Sequence, residues 1–212
     1  MDTTKNCLIQ SPRWLTIKLN EIKYILAAVG LIGVLLFASP TLSLLIKPPA
    51  DQQFTELYIL GNNHTFDNIP FNIKAGVQYS IYLGIVNNND ASFYYTYYVK
   101  LANETQLPST TTGQPSPLTP SFESKIFLSP GQSFEAPLTF QVNSATVADG
   151  VCTISDISIN GLDSQVNKAT SWNADKTGYY YNLFIELWIY NASQSIIEYN
   201  NRLVSMNLNM TA

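Results

Sequence analysis

His64 is the only imidazole in the 212-residue chain, and Cys7 and Cys152 are its only thiols. A zinc site draws three or four ligands from His, Cys and carboxylates, and a hydrolytic triad sets a base beside a nucleophile. His64 falls in a predicted turn, and the sequence holds no Ser-x-x-Lys, Gly-x-Ser-x-Gly or phosphate-cradling glycine loop. Outward glutamates such as Glu56, Glu186 and Glu198 read as solvated strand residues. The expectation is a protein that is not an enzyme and carries no cofactor. Asp156, Ser158, Asn160 and Gly161 open a calcium-loop pattern, but position twelve is Asn167 in place of Glu. Ile157 and Ile159 suit a strand, so Asn160-Gly161 reads better as a hairpin turn.

Four Asn-x-Ser/Thr sequons stand at Asn63, Asn103, Asn191 and Asn209. That number is close to chance in an Asn-rich chain. Asn63 and Asn103, beside predicted turns, are the expected accessible ones, and Asn191 ends a strand.

Charged residues make up only 12% of the chain, against 46% hydrophobic, and the net charge is −4. Eleven basic residues and an acidic balance leave no electrostatic footprint for nucleic acid. The missing charge has a location. Residues 24–46 read YILAAVGLIGVLLFASPTLSLLI, an uncharged run between Lys23 and Lys47. As a helix it spans roughly 34 Å, enough for a hydrocarbon core of about 30 Å. A secretory signal has an apolar core of about 7–15 residues behind a short basic head. Here residues 1–23 precede the run, which favours a retained anchor. Pro40 would kink or end the helix, and Ser39 and Ser43 have the small-xxx-small spacing of helix contacts. Lys5, Arg13, Lys18 and Lys23 precede the span, and positive-inside asymmetry puts the N-terminus in the cytoplasm. The residues from 48 onward then lie outside, with six basic and thirteen acidic side chains, a net of −7. On this division Cys7 and Cys152 cannot pair, and Cys152 is a buried thiol or an intermolecular partner.

The expected layout is a cytoplasmic segment (1–23), a transmembrane helix (24–46), a linker (47–53) and an extracytoplasmic domain (54–212) with an insertion at 143–177. That domain alternates apolar and polar residues between turn signals, as strands do. The stretches are 54–60, 77–87, 93–101, 122–128, 132–142, 178–190 and 201–208. Val77, Tyr79, Ile81, Leu83 and Ile85 share one face, as do Phe93, Tyr95, Tyr97, Val99 and Leu101. Ser129-Pro130-Gly131 suits a tight turn. With no long amphipathic helix to cover a sheet, the expected fold is an all-β, immunoglobulin-like, two-sheet antiparallel sandwich behind one transmembrane helix. The Cys…Trp…Cys spacing of antibody domains is absent.

FTELYILG (54–61), YLGIVNNN (82–89), LSPGQSFEAPLTF (128–140) and LFIELWIY (183–190) occur in an order that resembles an archaeal membrane-protein family, the domain of unknown function 1616. Two departures are NNND in place of an acidic GIVNxE turn and the long insertion. The resemblance implies an extracytoplasmic sandwich in an archaeal envelope and brings no activity with it.

If Tyr95 and Ile185 face the core, then Tyr94, Tyr98, Tyr180, Phe184, Trp188 and Tyr190 point outward. In an immunoglobulin-like topology their two strands are neighbours, which would make one aromatic patch for a partner protein. The alternative is that the 143–177 insertion folds over that face and buries it. The sequence therefore supports a single-pass envelope protein acting as a non-catalytic binding or structural module, expected as an accessory subunit of a membrane or surface-layer complex. The second reading is a glycan- or solute-binding domain using the aromatic face.

Overall fold

The computed structural model describes residues 22–34, 53–106 and 113–211. The chain divides into two units, Met1–Gln52 and Gln53–Ala212. In the first, residues 22–34 form an α-helix. No helix among the described residues is long and apolar enough to cross a membrane. Residues 35–46 of the expected span lie outside the described residues, as do Cys7 and Pro40.

The second unit is all-β in two sheets. Its strands are β1 (Thr55–Leu60), β2 (Asn72–Ile73), β3 (Gln78–Asn87), β4 (Phe93–Asn103), β5 (Phe122–Leu128), β6 (Ser133–Ala148), β7 (Val151–Ile159), β8 (Leu162–Ser171), β9 (Tyr179–Asn191) and β10 (Ile196–Met210). The first sheet has the order β1-β3-β6-β7-β8 and the second β2-β10-β9-β4-β5. Pairing is antiparallel except for the short β2, which runs parallel to β10, so the expected purely antiparallel sandwich has one parallel edge.

Period-two patterning sets the core. Ile81, Leu83 and Ile85 of β3 and Leu138, Phe140 and Val142 of β6 are buried, as are Tyr95, Val99 and Leu101 of β4 and Leu183, Ile185 and Leu187 of β9. They join one apolar cluster between the sheets. Two irregularities keep the alternation in register with that cluster. In β7 the pairing shifts between Ile154 and Asp156. Cys152 and Ile154 precede the shift, Ile157 and Ile159 follow it, and all four face inward, because one extra residue restores the face that strict alternation would lose. In β10 the register shifts between Tyr199 and Arg202, and Asn201 there takes a φ of 51°.

Turn chemistry closes the hairpins. Asn160 and Gly161 have φ of 49° and 78°, and Asp149 and Gly150 have 51° and 73°. Both two-residue turns thus carry the paired positive φ that matches strand twist. The turn at Ser129 is closed by Gln132 N–H donating to Ser129 O at 3.0 Å.

The 143–177 segment mostly extends the first sheet, and of the outer aromatics of the second it meets Tyr180, whose hydroxyl donates to Lys176 O at 2.6 Å. It lengthens β6 and supplies β7 and β8, the far edge of the first sheet. The Asn160-Gly161 turn makes the adjacent strand pair cheaper than a long excursion, since each new strand satisfies its backbone against the previous one.

Candidate functional site

β4 and β9 are antiparallel neighbours, with Tyr98 opposite Glu186 and Lys100 opposite Phe184. The six expected outward aromatics therefore share one sheet face, but they do not form one patch. Tyr94 (58% exposed) and Tyr190 (42%) are open to solvent. Tyr98, Trp188 and Tyr180 are half-buried. Phe184 is fully buried and unavailable to any partner. The rings sort into separate contacts: Tyr94 with Phe127 at 5.0 Å, Tyr98 edge-on to Trp188 at 5.5 Å, Trp188 with Tyr199 at 5.6 Å, and Phe71 with Tyr180 at 6.1 Å.

What divides the face is a strap, residues 113–121. Gly113 lies beside Asn201 of β10. Ser116 lies over β9 and β4, where its N–H donates to Glu186 Oε1 at 2.6 Å and its carbonyl accepts from Lys100 Nζ at 2.8 Å. Ser121 N–H then donates to Val99 O, and the chain enters β5. The strap thus follows the pairing order of the sheet, from β10 over β9 and β4 to β5. Under it Lys100 Nζ bonds Glu186 Oε2 at 2.8 Å, with both side chains withdrawn from solvent. Both carboxylate oxygens and two of the three ammonium hydrogens are thus committed.

Near this pair Trp188 Nε1 and Asn200 Nδ2 are buried with no hydrogen-bond partner among the described residues. Burial pushes the phenols of Tyr98 and Tyr199 up, so both stay neutral. At the other end of the face a cleft of about 350 Å³ is lined by Phe71, Glu104, Lys176, Tyr180, Tyr181 and Asn207. Lys176 bridges Glu104 at 3.2 Å and sits 5.2 Å from the Tyr180 ring centre.

The calcium-pattern residues are in hairpin geometry. Ser158 Oγ donates to Asp163 Oδ1 at 2.7 Å, and Asn160 Oδ1 accepts from Thr139 N at 2.8 Å. Asn143 also donates to Asp163, and these hydrogen bonds hold its carboxyl below the usual range. Among the described residues no three His, Cys, Asp or Glu side chains gather as metal ligands. His64 Nδ1 meets Glu135 Oε1 at 2.5 Å in an exposed setting.

The sequons differ in what their amides do. Asn103 Nδ2 donates to Ala169 O, Asn191 Nδ2 to Glu198, and Asn209 Nδ2 to Asn72 from a buried position. Asn63 is exposed, and its amide makes no hydrogen bond among the described residues. Of the pair expected from the turns, Asn63 is open to solvent and Asn103, half-buried, donates its amide to Ala169 of β8.

Cys152 lies in the core, next to the Tyr181 hydroxyl that donates to the Cys152 carbonyl at 2.7 Å. Burial pushes its thiol up, which disfavours the reactive thiolate. Maleimide treatment followed by peptide mass spectrometry is expected to leave Cys152 unlabelled in the native protein and to label it in denaturant. Native labelling at a rate like that of a free peptide thiol would contradict the burial.

The fold and this strap-covered face define an all-β, two-sheet sandwich domain. Residues 48–148 match the family model described as a domain of unknown function, DUF1616. The match takes in β1 to β6 and stops before β9, so LFIELWIY (183–190) lies outside it, although β4 needs β9 as its neighbour. No curated protein sequence matches the chain. Among solved structures, the chain is similar to a β-glucosidase from Listeria innocua in complex with laminaribiose, with a TM-score of 0.39, 10% identity, 76% of this chain and 16% of that chain covered. It is similar too to the CARDB domain of a Pyrococcus furiosus protein in complex with di-metal ions, with a TM-score of 0.38, 7% identity and 75% and 89% covered. A β-D-glucoside glucohydrolase from Trichoderma reesei gives 0.33, 10%, 76% and 19%. The chain thus spans less than a fifth of either glucosidase.

Proposed function

We propose that this is a single-pass, N-in membrane protein of an archaeal cell envelope, related to the DUF1616 family. Its extracytoplasmic, immunoglobulin-like sandwich serves as a non-catalytic binding or structural module, as an accessory subunit of a membrane or surface-layer complex. The observation that carries the reading is the uncharged run at 24–46, followed within a few residues by a β-sandwich. The commitment of Lys100 and Glu186 to the strap favours a structural over a catalytic use of the buried charges. A second reading, glycan or solute binding, is favoured by the cleft at Phe71 and Tyr180, where aromatic rings adjoin Glu104, Lys176 and Asn207.

Gentle detergent extraction from native membranes tests the first reading. The protein is expected to sediment with other envelope proteins, and external protease on intact cells is expected to remove residues beyond 53. Recovery as a lone monomer sinks the subunit proposal, and full protection from external protease sinks the orientation. An oligosaccharide that raises the melting temperature, with loss of that shift in Tyr180→Ala, would favour the second reading instead.

A further inference from the structure

Four exposed apolar side chains line up across the second sheet at one end of the sandwich. Phe127 stands opposite Tyr94, and Tyr190 opposite Ile197. Tyr95 pairs with Ile189, so the next step along β4 and β9 places Tyr94 beside Tyr190. The order Phe127, Tyr94, Tyr190, Ile197 therefore runs over β5, β4, β9 and β10 in one row on the outer face. Their exposures are 49, 58, 42 and 40%. Opposite residues in a sheet stand close enough for their side chains to touch, and the row is contiguous and open to solvent.

The same end of the sandwich is where the chain enters. Thr55 pairs with Asn87 at the end of β3, and Asn87 in turn bonds Leu128 O at the end of β5. Phe54, 41% exposed, immediately precedes β1. Between Ile46, the last residue of the uncharged run, and Phe54 lie only residues 47–53. At most ~3.6 Å per residue, they reach about 25 Å.

We infer that this row is a lipid-contacting edge, seated in the interfacial layer of the membrane that holds residues 24–46. The inference rests on the anchored reading above and adds which surface meets the bilayer. Tyrosine suits that layer, because its ring is apolar and its hydroxyl stays with water and headgroups. The contact is apolar in character. Lys125, the cation facing the same side of β5, is paired with Glu123 at 3.1 Å, and Asp90 and Glu56 at this end would oppose an anionic surface. Asn191, next to Tyr190, donates its amide to Glu198 at 3.1 Å.

The test uses the full chain in phosphatidylcholine vesicles. Cys7→Ser removes the other thiol, buried Cys152 stays unlabelled, and an environment-sensitive fluorophore is placed by Tyr94→Cys or Tyr190→Cys. Leu162→Cys, 61% exposed on β8, is the reference site. With brominated phosphatidylcholine, quenching at 94 and 190 is expected to exceed that at 162 at least about threefold, and to persist at about 1 M salt because the contact is apolar. Phe127→Ser with Ile197→Ser is expected to reduce it while the melting curve stays near wild type. Equal quenching at all three sites in chains that float with the vesicles overturns this inference alone. Failure of the full chain to float with vesicles overturns the anchored reading and this one with it.

Discussion

Lys100→Met is expected to lower unfolding stability by about 3–5 kcal/mol, among the largest single-site losses for a residue outside the core. Lys100 Nζ is 2.8 Å from Glu186 Oε2, and the two side chains are 4 and 0% exposed. Removing the ammonium leaves a buried carboxylate whose remaining donor is Ser116 N–H at 2.6 Å. Desolvation of that charge is then uncompensated. The pair itself is a different quantity. Two charges taken from water regain little net energy, so Lys100→Met with Glu186→Leu is expected to recover most of the loss. Urea denaturation of the single and double variants measures the coupling. For a domain of this size the single variant should melt roughly 6–20 °C lower. The strap supplies a second readout. Both of its Ser116 bonds end on this pair, so limited proteolysis within 113–121 should accelerate in the single variants before global unfolding. A loss under about 1 kcal/mol for Lys100→Met would show that the pair is solvated and the strap open.

This cluster also marks where sequence reading stops. Lys100 and Glu186 occupy outward positions of their strands, and at such positions a charge ordinarily reads as solvated. Their partnership spans 86 residues, and nothing in local alternation links them. The strap is rich in Pro, Thr and Ser, and such a stretch has no period to say which surface it crosses. The strands were a different matter. The inward faces of β4 and β9 follow from alternation alone, since a one-residue slip would expose Leu183, Ile185 and Leu187 together. The Asn160-Gly161 turn was legible for the same local reason, because few other residue pairs take two positive φ values. Asp149-Gly150 carries the same signal, with φ of 51° and 73°, but lies in the segment that reads as an insertion. The aromatic face fell between these cases. Its positions share one sheet face, but exposure is a tertiary property: Phe184 is buried, while Tyr94 and Tyr190 stay open.

Asn87 is the residue whose role is least visible in the sequence, where it opens an Asn-Asn-Asn-Asp connection, and its substitution is expected to cost about as much. It is fully buried at the end of β3. Its Nδ2 donates to Ala91 O at 2.8 Å and to Leu128 O at 3.1 Å. Its Oδ1 accepts from Asn89 Nδ2 at 2.8 Å and from Asn89 N at 3.2 Å. One amide thus ties the first sheet to β5 of the second and shapes the β3–β4 turn. Asn87→Ala strands two carbonyls and the Asn89 donors, each costing about 1–3 kcal/mol if it stays dry, so a loss of roughly 2–4 kcal/mol is expected. Asn87→Asp separates the donor from the shape. An ionised carboxylate there would face the Ala91 and Leu128 carbonyls with nothing to donate. The protonated acid can donate to one of them. The folded state therefore favours the neutral form, and the carboxyl is raised above its unfolded value. Stability is then fullest below the unfolded pKa and is lost as pH rises through the folded one. Urea midpoints for Asn87→Asp are expected to be higher near about pH 4 than near about pH 8 relative to wild type at the same pH. A variant that loses nothing at the higher pH would mean that water reaches this amide and that the sheets are not joined through it.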